Sequence, residues 1–171
     1  MKKVIQFLFK STLLLILLFS VSPSFGQEVT TYYLIRHAEK EVSDKSNRDP
    51  HLTEIGKERT QVWKKIFKEV AFDKIYSTSY HRTLETARPT AEDHQLSIEN
   101  YDPKNLYSSD FKEATFGKTV LVVGHSNTTP DLANMILNKK TYNNIEERTH
   151  GNLYILQCIG DIVSAQLLFL E

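Results

Sequence analysis

The sequence predicts a three-layer α/β sandwich, a mostly parallel central sheet with helices on both faces. Three observations carry this. Strand-like and helix-like stretches alternate along the chain, the order that wraps helices around a parallel sheet. One stretch, Thr119-Val120-Leu121-Val122-Val123, is apolar, β-branched and flanked by Gly117 and Gly124, the pattern of a central strand covered on both sides. The chain then closes with two strand-like runs, Leu153 to Ile159 and Ile162 to Leu170, joined by Gly160-Asp161. They read as a hairpin, so the sheet need not be parallel throughout.

Residues 1–26 differ from the rest of the 171. Lys2, Lys3 and Lys10 precede the apolar run Leu13 to Phe19, and small or helix-breaking residues follow through Gly26. A basic start, a short apolar segment and a small-residue exit predict a signal peptide cleaved after Gly26. The run is shorter than the roughly 20 residues that span a bilayer, which disfavours an uncleaved membrane anchor. The expected product is one domain over residues 27–171, secreted or periplasmic, with no stable membrane association once the leader is gone. Formal charge is balanced, and loss of the leader lysines makes the remainder slightly acidic. No nucleic-acid or anionic-membrane partner is therefore expected. Cys158 is the sole cysteine, so no internal disulfide can form, and its place in a strand-like run predicts a buried thiol.

Tyr32-Tyr33-Leu34-Ile35 is the first strand, and it delivers Arg36 and His37 at its C-terminal end, where open α/β sheets bind ligands. Glu41 to His51 is a polar loop over that end. Thr53 caps the next helix, with Glu54 in its first turn. Ile55, Val62, Ile66 and Val70 are its expected buried stripe, with Trp63 and Phe67 beside it as core rather than ligand platform. Asp73 to Ser77 is a second strand. The turn Ser77-Thr78-Ser79 then caps a helix from about Tyr80, with Leu84, Ala87 and Ala91 facing inward and a kink or break at Pro89. Leu96 to Tyr101 reads as a short third strand and Pro103 to Ala114 as a modest helix burying Leu106 and Phe111. After the central strand, Thr128 or Thr129 caps a helix with Pro130 in its first turn. Asn138 to Gly151 is a polar connection.

Three strand ends thus offer polar groups: Arg36 and His37, then Arg82, then Gly124-His125-Ser126-Asn127. If they share one edge, two arginines and two histidines converge. Each guanidinium can hold a tetrahedral oxyanion through paired N–H donors. Helix starts near Ser79 and Thr128 add backbone donors. That set makes a phosphate pocket in which one histidine attacks phosphorus and the other groups stabilise the equatorial oxygens.

These residues resemble the histidine phosphatase superfamily, the phosphoglycerate mutase-like proteins. Arg36-His37-Ala38-Glu39-Lys40 is similar to its Arg-His-Gly/Ala signature, and Leu52-Thr53-Glu54-Ile55-Gly56 to its Leu-Thr-x-x-Gly helix start. Ile75 to Thr83, continued by Thr86-Ala87, resembles its Ser-Ser-Pro-x-x-Arg-x-x-x-Thr-Ala element, with Thr78-Ser79 in place of Ser-Pro. Val122-Val123-Gly124-His125 resembles its Val-x-Gly-His element. The resemblance implies a phosphatase in which His37 becomes phosphohistidine and Arg36, Arg82 and His125 complete the pocket. Asn127 would help bind a small phosphorylated substrate, and no metal or organic cofactor is expected. It also implies an acid that protonates the leaving group. No acid matches a motif; Asp102 is the first candidate, then Glu113, Glu39 and Asp131. Substrate choice is expected to depend on Glu41 to His51 and Tyr101 to Gly117.

Other readings remain open. A metal hydrolase could use the same histidines with acidic ligands, although no two histidines stand three or four residues apart. An exported module could bind a phosphorylated ligand and turn it over poorly. A phosphatase for protein phosphohistidine fits the minimal size, whereas a mutase is disfavoured for want of room for substrate-shaping insertions. His51, His81, His94 and His150 belong to no motif and read as surface or loop residues.

Overall fold

The computed structural model describes residues 28–170, so the leader expected at 1–26 lies outside the described residues. Among the described residues, no helix is long and apolar enough to cross a membrane. Six strands form one sheet in the order β3-β2-β4-β1-β5-β6. They are β1 (Val29–Arg36), β2 (Lys74–Ser77), β3 (Ile98–Asn100), β4 (Thr119–Gly124), β5 (Asn152–Ile159) and β6 (Ile162–Phe169). The first four run parallel, and β5 and β6 are antiparallel, which bears out the expected closing hairpin.

Side chains alternate across a strand, and β4 shows the consequence. Val120 and Val122 enter a core on one face with Phe111, Leu132 and Ile136. Leu121 and Val123 enter a second core on the other face with Trp63, Phe67 and Ala87. The first face is covered by α3 (Ser109–Thr115) and α4 (Thr128–Ile136), the second by α1 (Glu54–Phe67) and α2 (His81–Asp93). This is the predicted three-layer sandwich.

Several local expectations change. In α1 the buried residues are Gly56, Thr60, Trp63 and Phe67, not the stripe of Ile55, Val62 and Ile66. Ile55 is 64% exposed. The two large aromatics, one turn apart and stacked at 5.5 Å, take the inner face, and the β-branched residues one position away are turned outward. Thr53 does cap α1, its hydroxyl accepting from Gly56 N at 3.0 Å. The Ser77-Thr78-Ser79 turn does not cap α2. Tyr80 holds the cap position, and Asp49 from the preceding loop accepts the His81 N–H at 2.8 Å. Nor does Pro89 end α2, which runs on to Asp93. Thr86, Ala87, Thr90 and Ala91 are buried on both sides of the proline. That packing offsets the roughly 3 kcal/mol that an interior proline costs a helix. Cys158 is half-buried, and burial raises its thiol pKa.

Candidate active site

The parallel register sets the site. Arg36 pairs with Gly124 and Ser77 with Val123, so β1, β2 and β4 end together at one edge. The residues that follow line an open cleft of about 560 Å³. The structure brings Arg36, His37, Arg82, His125 and Asn127 to that cleft, as expected from the sequence, and adds Lys40 and Ser126.

The motif residues around His37 are tied to one another by short-range contacts. The His37 N–H donates to Gly124 O at 2.9 Å, fusing the two strand ends. A Cβ at Gly124 would stand 2.7–2.9 Å from the hydroxyls of Thr128, Thr129 and Tyr101, so only glycine fits there without displacement. The Ala38 N–H donates to Thr86 Oγ1, and the Thr86 hydroxyl donates to Arg82 O. The Thr53 N–H donates to Glu39 O. Gly56 lies against the same carbonyl, where a Cβ would overlap the Glu39 backbone. The Leu-Thr-x-x-Gly and Thr-Ala elements are therefore clamps on the segment just after His37.

His37 is 3% exposed. Its Nδ1 lies 2.7 Å from Ala38 O. A carbonyl only accepts, so Nδ1 carries the proton and Nε2 keeps its lone pair. Burial, reinforced by the nearby charges of Arg36 and Arg82, pushes the ring pKa down to about 3. The ring is neutral at pH 7, the form in which an imidazole can act as a nucleophile. His125 stands 5.6 Å away, centroid to centroid, with Nε2 hydrogen-bonded to Thr78 Oγ1 at 3.0 Å. Burial first and Arg82 second lower its pKa to about 4. In the free site it is therefore a neutral ring at pH 7.

Arg36 is 4% exposed. One terminal nitrogen donates to three main-chain carbonyls, those of Glu146, Glu147 and Thr149, at 2.8–3.1 Å. The loop after α4 thus fixes the guanidinium plane, while its Nε has no hydrogen-bond partner among the described residues. Arg82 stacks on Tyr80 at 4.3 Å and lies 3.6 Å from Asp49. Its Nε is likewise buried and unpartnered. Two buried donors without acceptors beside the cleft are what an oxyanion would satisfy.

The four expected acids are not in the cleft. Asp102 is exposed and lies in a separate cavity with Tyr76 and Phe111, its carboxylate accepting from Lys104 N. Glu113 is exposed on α3, and Asp131 lines a different surface hollow. Glu39 is held by Arg59, both carboxylate oxygens accepting from Nε. The carboxylate residues that do line the cleft are Glu146 and Glu147. Neither expected specificity segment contributes to its wall; Asn144 to Glu147 does. Sequence reading also passed over His150, whose Nδ1 donates to His37 O at 3.0 Å from a ring 5.9 Å from that of His37. Main-chain acceptors and a histidine in an irregular loop carry no spacing signal that could have revealed them.

The profile of the family described as the histidine phosphatase superfamily (branch 1) matches residues 32–105. No curated protein matches the sequence. Among solved structures, a phosphoglycerate mutase from Bacillus anthracis shares 16% identity with a TM-score of 0.64, covering 83% of this chain and 93% of its own. The candidate phosphohistidine phosphatase SixA from Agrobacterium tumefaciens shares 18% identity, with a TM-score of 0.59 and coverage of 81% and 97%. A phosphoserine phosphatase from Entamoeba histolytica, solved as a mutant in complex with phosphoserine, shares 16% at 0.60, covering 80% and 95%. At these identities the likeness establishes the fold. Since the chain spans nearly all of a protein named as a mutase, length alone does not set it apart from one.

Proposed function

We propose that the chain is a member of the histidine phosphatase superfamily, whose profile matches residues 32–105, and that it hydrolyses small phosphomonoesters through a phosphohistidine on His37. The observation that carries this is the His37 ring itself. Its Nδ1–H is held by Ala38 O, and it lines a cleft beside two arginines that keep unpartnered Nε donors. In the first step His37 Nε2 forms a bond to phosphorus as the ester P–O bond breaks, and the leaving oxygen takes up one proton. In the second, water bonds to phosphorus and passes a proton to the carboxylate that gave one up in the first, the P–N bond breaks, and the lone pair returns to Nε2. Arg36, Arg82 and His125 stabilise the equatorial oxygens in both. Glu147 lines the same cleft wall and is the carboxyl group positioned to exchange this proton, giving it up from its protonated form. The cationic wall of Arg36, Lys40 and Arg82 suits an anion and repels a metal ion, which supports a reaction without one.

A second reading, dephosphorylation of phosphohistidine, applies if Glu147 gives no proton, because Asp102, Glu113, Glu39 and Asp131 all lie outside the cleft. Imidazole leaves far more readily than an alkoxide and needs little help from an acid. We further propose export, with residues 1–26 removed on the way; the mass of the mature product tests it. The test of the reaction is hydrolysis of an aryl phosphate by the full chain in chelator, beside His37→Ala. Turnover that survives chelator and vanishes in the variant is expected. Loss in chelator, or an unimpaired variant, would overturn the mechanism. A phosphorylated imidazole run alongside decides between the two substrates.

A further inference from the structure

Outside the cleft, three side chains with no part in the proposed reaction converge. His51 closes the loop before α1, His81 is the first residue of α2, and Glu85 lies one turn further along α2. We propose that these three form a binding site for a divalent cation of the zinc class.

The grouping combines local and long-range placement. His81 and Glu85 are four apart, so they share one face of α2. His51 arrives from a different element. One ligand atom from each residue lies within 4.8 Å of the others. His51 Nδ1 approaches Glu85 Oε1 to 2.5 Å, and the His51 and His81 rings stack at 4.2 Å with 23° between their planes. The carboxylate is itself held, because Glu85 Oε2 accepts the Leu52 N–H at 2.9 Å. A backbone donor on the far oxygen is the kind of support that orients a ligating carboxylate. Two imidazoles and one carboxylate are a set that zinc accepts, with its fourth position left to solvent. His51 is 61% exposed at its side chain and Glu85 20%, so an ion can enter from solution.

The site adjoins the cleft through Asp49. One Asp49 oxygen accepts the His81 N–H and lies 3.6 Å from Arg82. The other stands 3.8 Å from His81 Nε2. A cation on His51, His81 and Glu85 would staple the loop carrying Asp49 to the start of α2, where Arg82 follows His81 directly. It would take no part in phosphoryl transfer, and turnover does not require it.

The test is titration of metal-free full chain with Zn²⁺ alone, in competition with a chromogenic chelator. Wild type and a Glu113→Gln control should each bind one equivalent. Glu85→Gln and His81→Ala should each lose more than the roughly 10–100-fold in affinity that outer-shell partners command. Glu85→Gln keeps the shape of the side chain, and circular dichroism checks that both variants are folded. Zn²⁺ should also raise the thermal midpoint of wild type and leave that of Glu85→Gln unmoved. Binding below one equivalent in wild type, or one-to-one binding that both folded variants retain, would overturn the site.

Discussion

Replacing His37 by glutamine should flatten the dependence of stability on acid. The folded ring is held near pKa 3 by burial, while the unfolded chain presents an ordinary histidine near 6.5. Below pH 6.5 the unfolded state takes up a proton that the folded state refuses. The stability tied to this group is therefore intact above pH 6.5 and is lost progressively as the pH falls toward 3. One proton costs about 1.4 kcal/mol per pH unit, so by pH 5 His37 alone should have lowered stability by roughly 2 kcal/mol. The assay is urea unfolding of wild type and His37→Gln at pH 7.5 and pH 5.0. His125 and His150, also lowered by burial, contribute to both proteins and cancel in the difference. The wild type should lose about 2 kcal/mol more than the variant. Equal losses would mean that the folded ring titrates normally, is largely protonated at mildly acid pH, and has no reserved lone pair. The argument for His37 as nucleophile would go with it. Turnover gives a second view: phosphorylation of His37 should stay level from pH 7.5 down to about 5, because neither His37 nor His125 gains a proton in that span.

Three further outcomes follow from the geometry. Gly56→Ala drives a Cβ into the Glu39 carbonyl; it should cost about 1–3 kcal/mol in urea unfolding and lower kcat, since the displaced segment carries His37. Arg82→Lys removes the planar donor stacked on Tyr80 and should reduce kcat about 10²–10³-fold; a loss under tenfold would argue that Arg82 only lines the cleft. Glu147→Gln should slow an alkyl phosphate by about 10²-fold or more while sparing an aryl phosphate, whose leaving group needs no proton. Equal effects on both esters would remove Glu147 as proton donor.

Much of this molecule is legible along the chain because its information is local. The apolar run of β4, the Gly160-Asp161 hairpin and the Thr53 cap each depend on near neighbours, and each stands as expected. The cleft residues Arg36, His37, Arg82 and His125 were legible for a related reason. Each follows or lies near the end of a strand, and parallel strands of one register bring such ends to one edge. The inner face of α1 was misread because two adjacent stripes were both apolar, and the sequence carries no count of which fills the space beneath the sheet. Trp63 and Phe67 were expected in the core beside that stripe; packing turned Ile55, Val62 and Ile66 outward and centred the inner face on the two aromatics.

The sequence by itself determined the alternation of strands and helices, the four motif elements and the grouping of His37 with Arg36, Arg82 and His125. Tertiary structure alone decided what surrounds them. The acids named from the sequence fall outside the cleft, and Glu146 and Glu147 take the wall, because a loop brings them back across the sheet from beyond α4. Arg36 is oriented by main-chain carbonyls, which every residue possesses, so no choice of residue type announces them. His51, His81 and Glu85 meet because a loop and a helix start are folded together, and contact between distant segments leaves no periodicity to read.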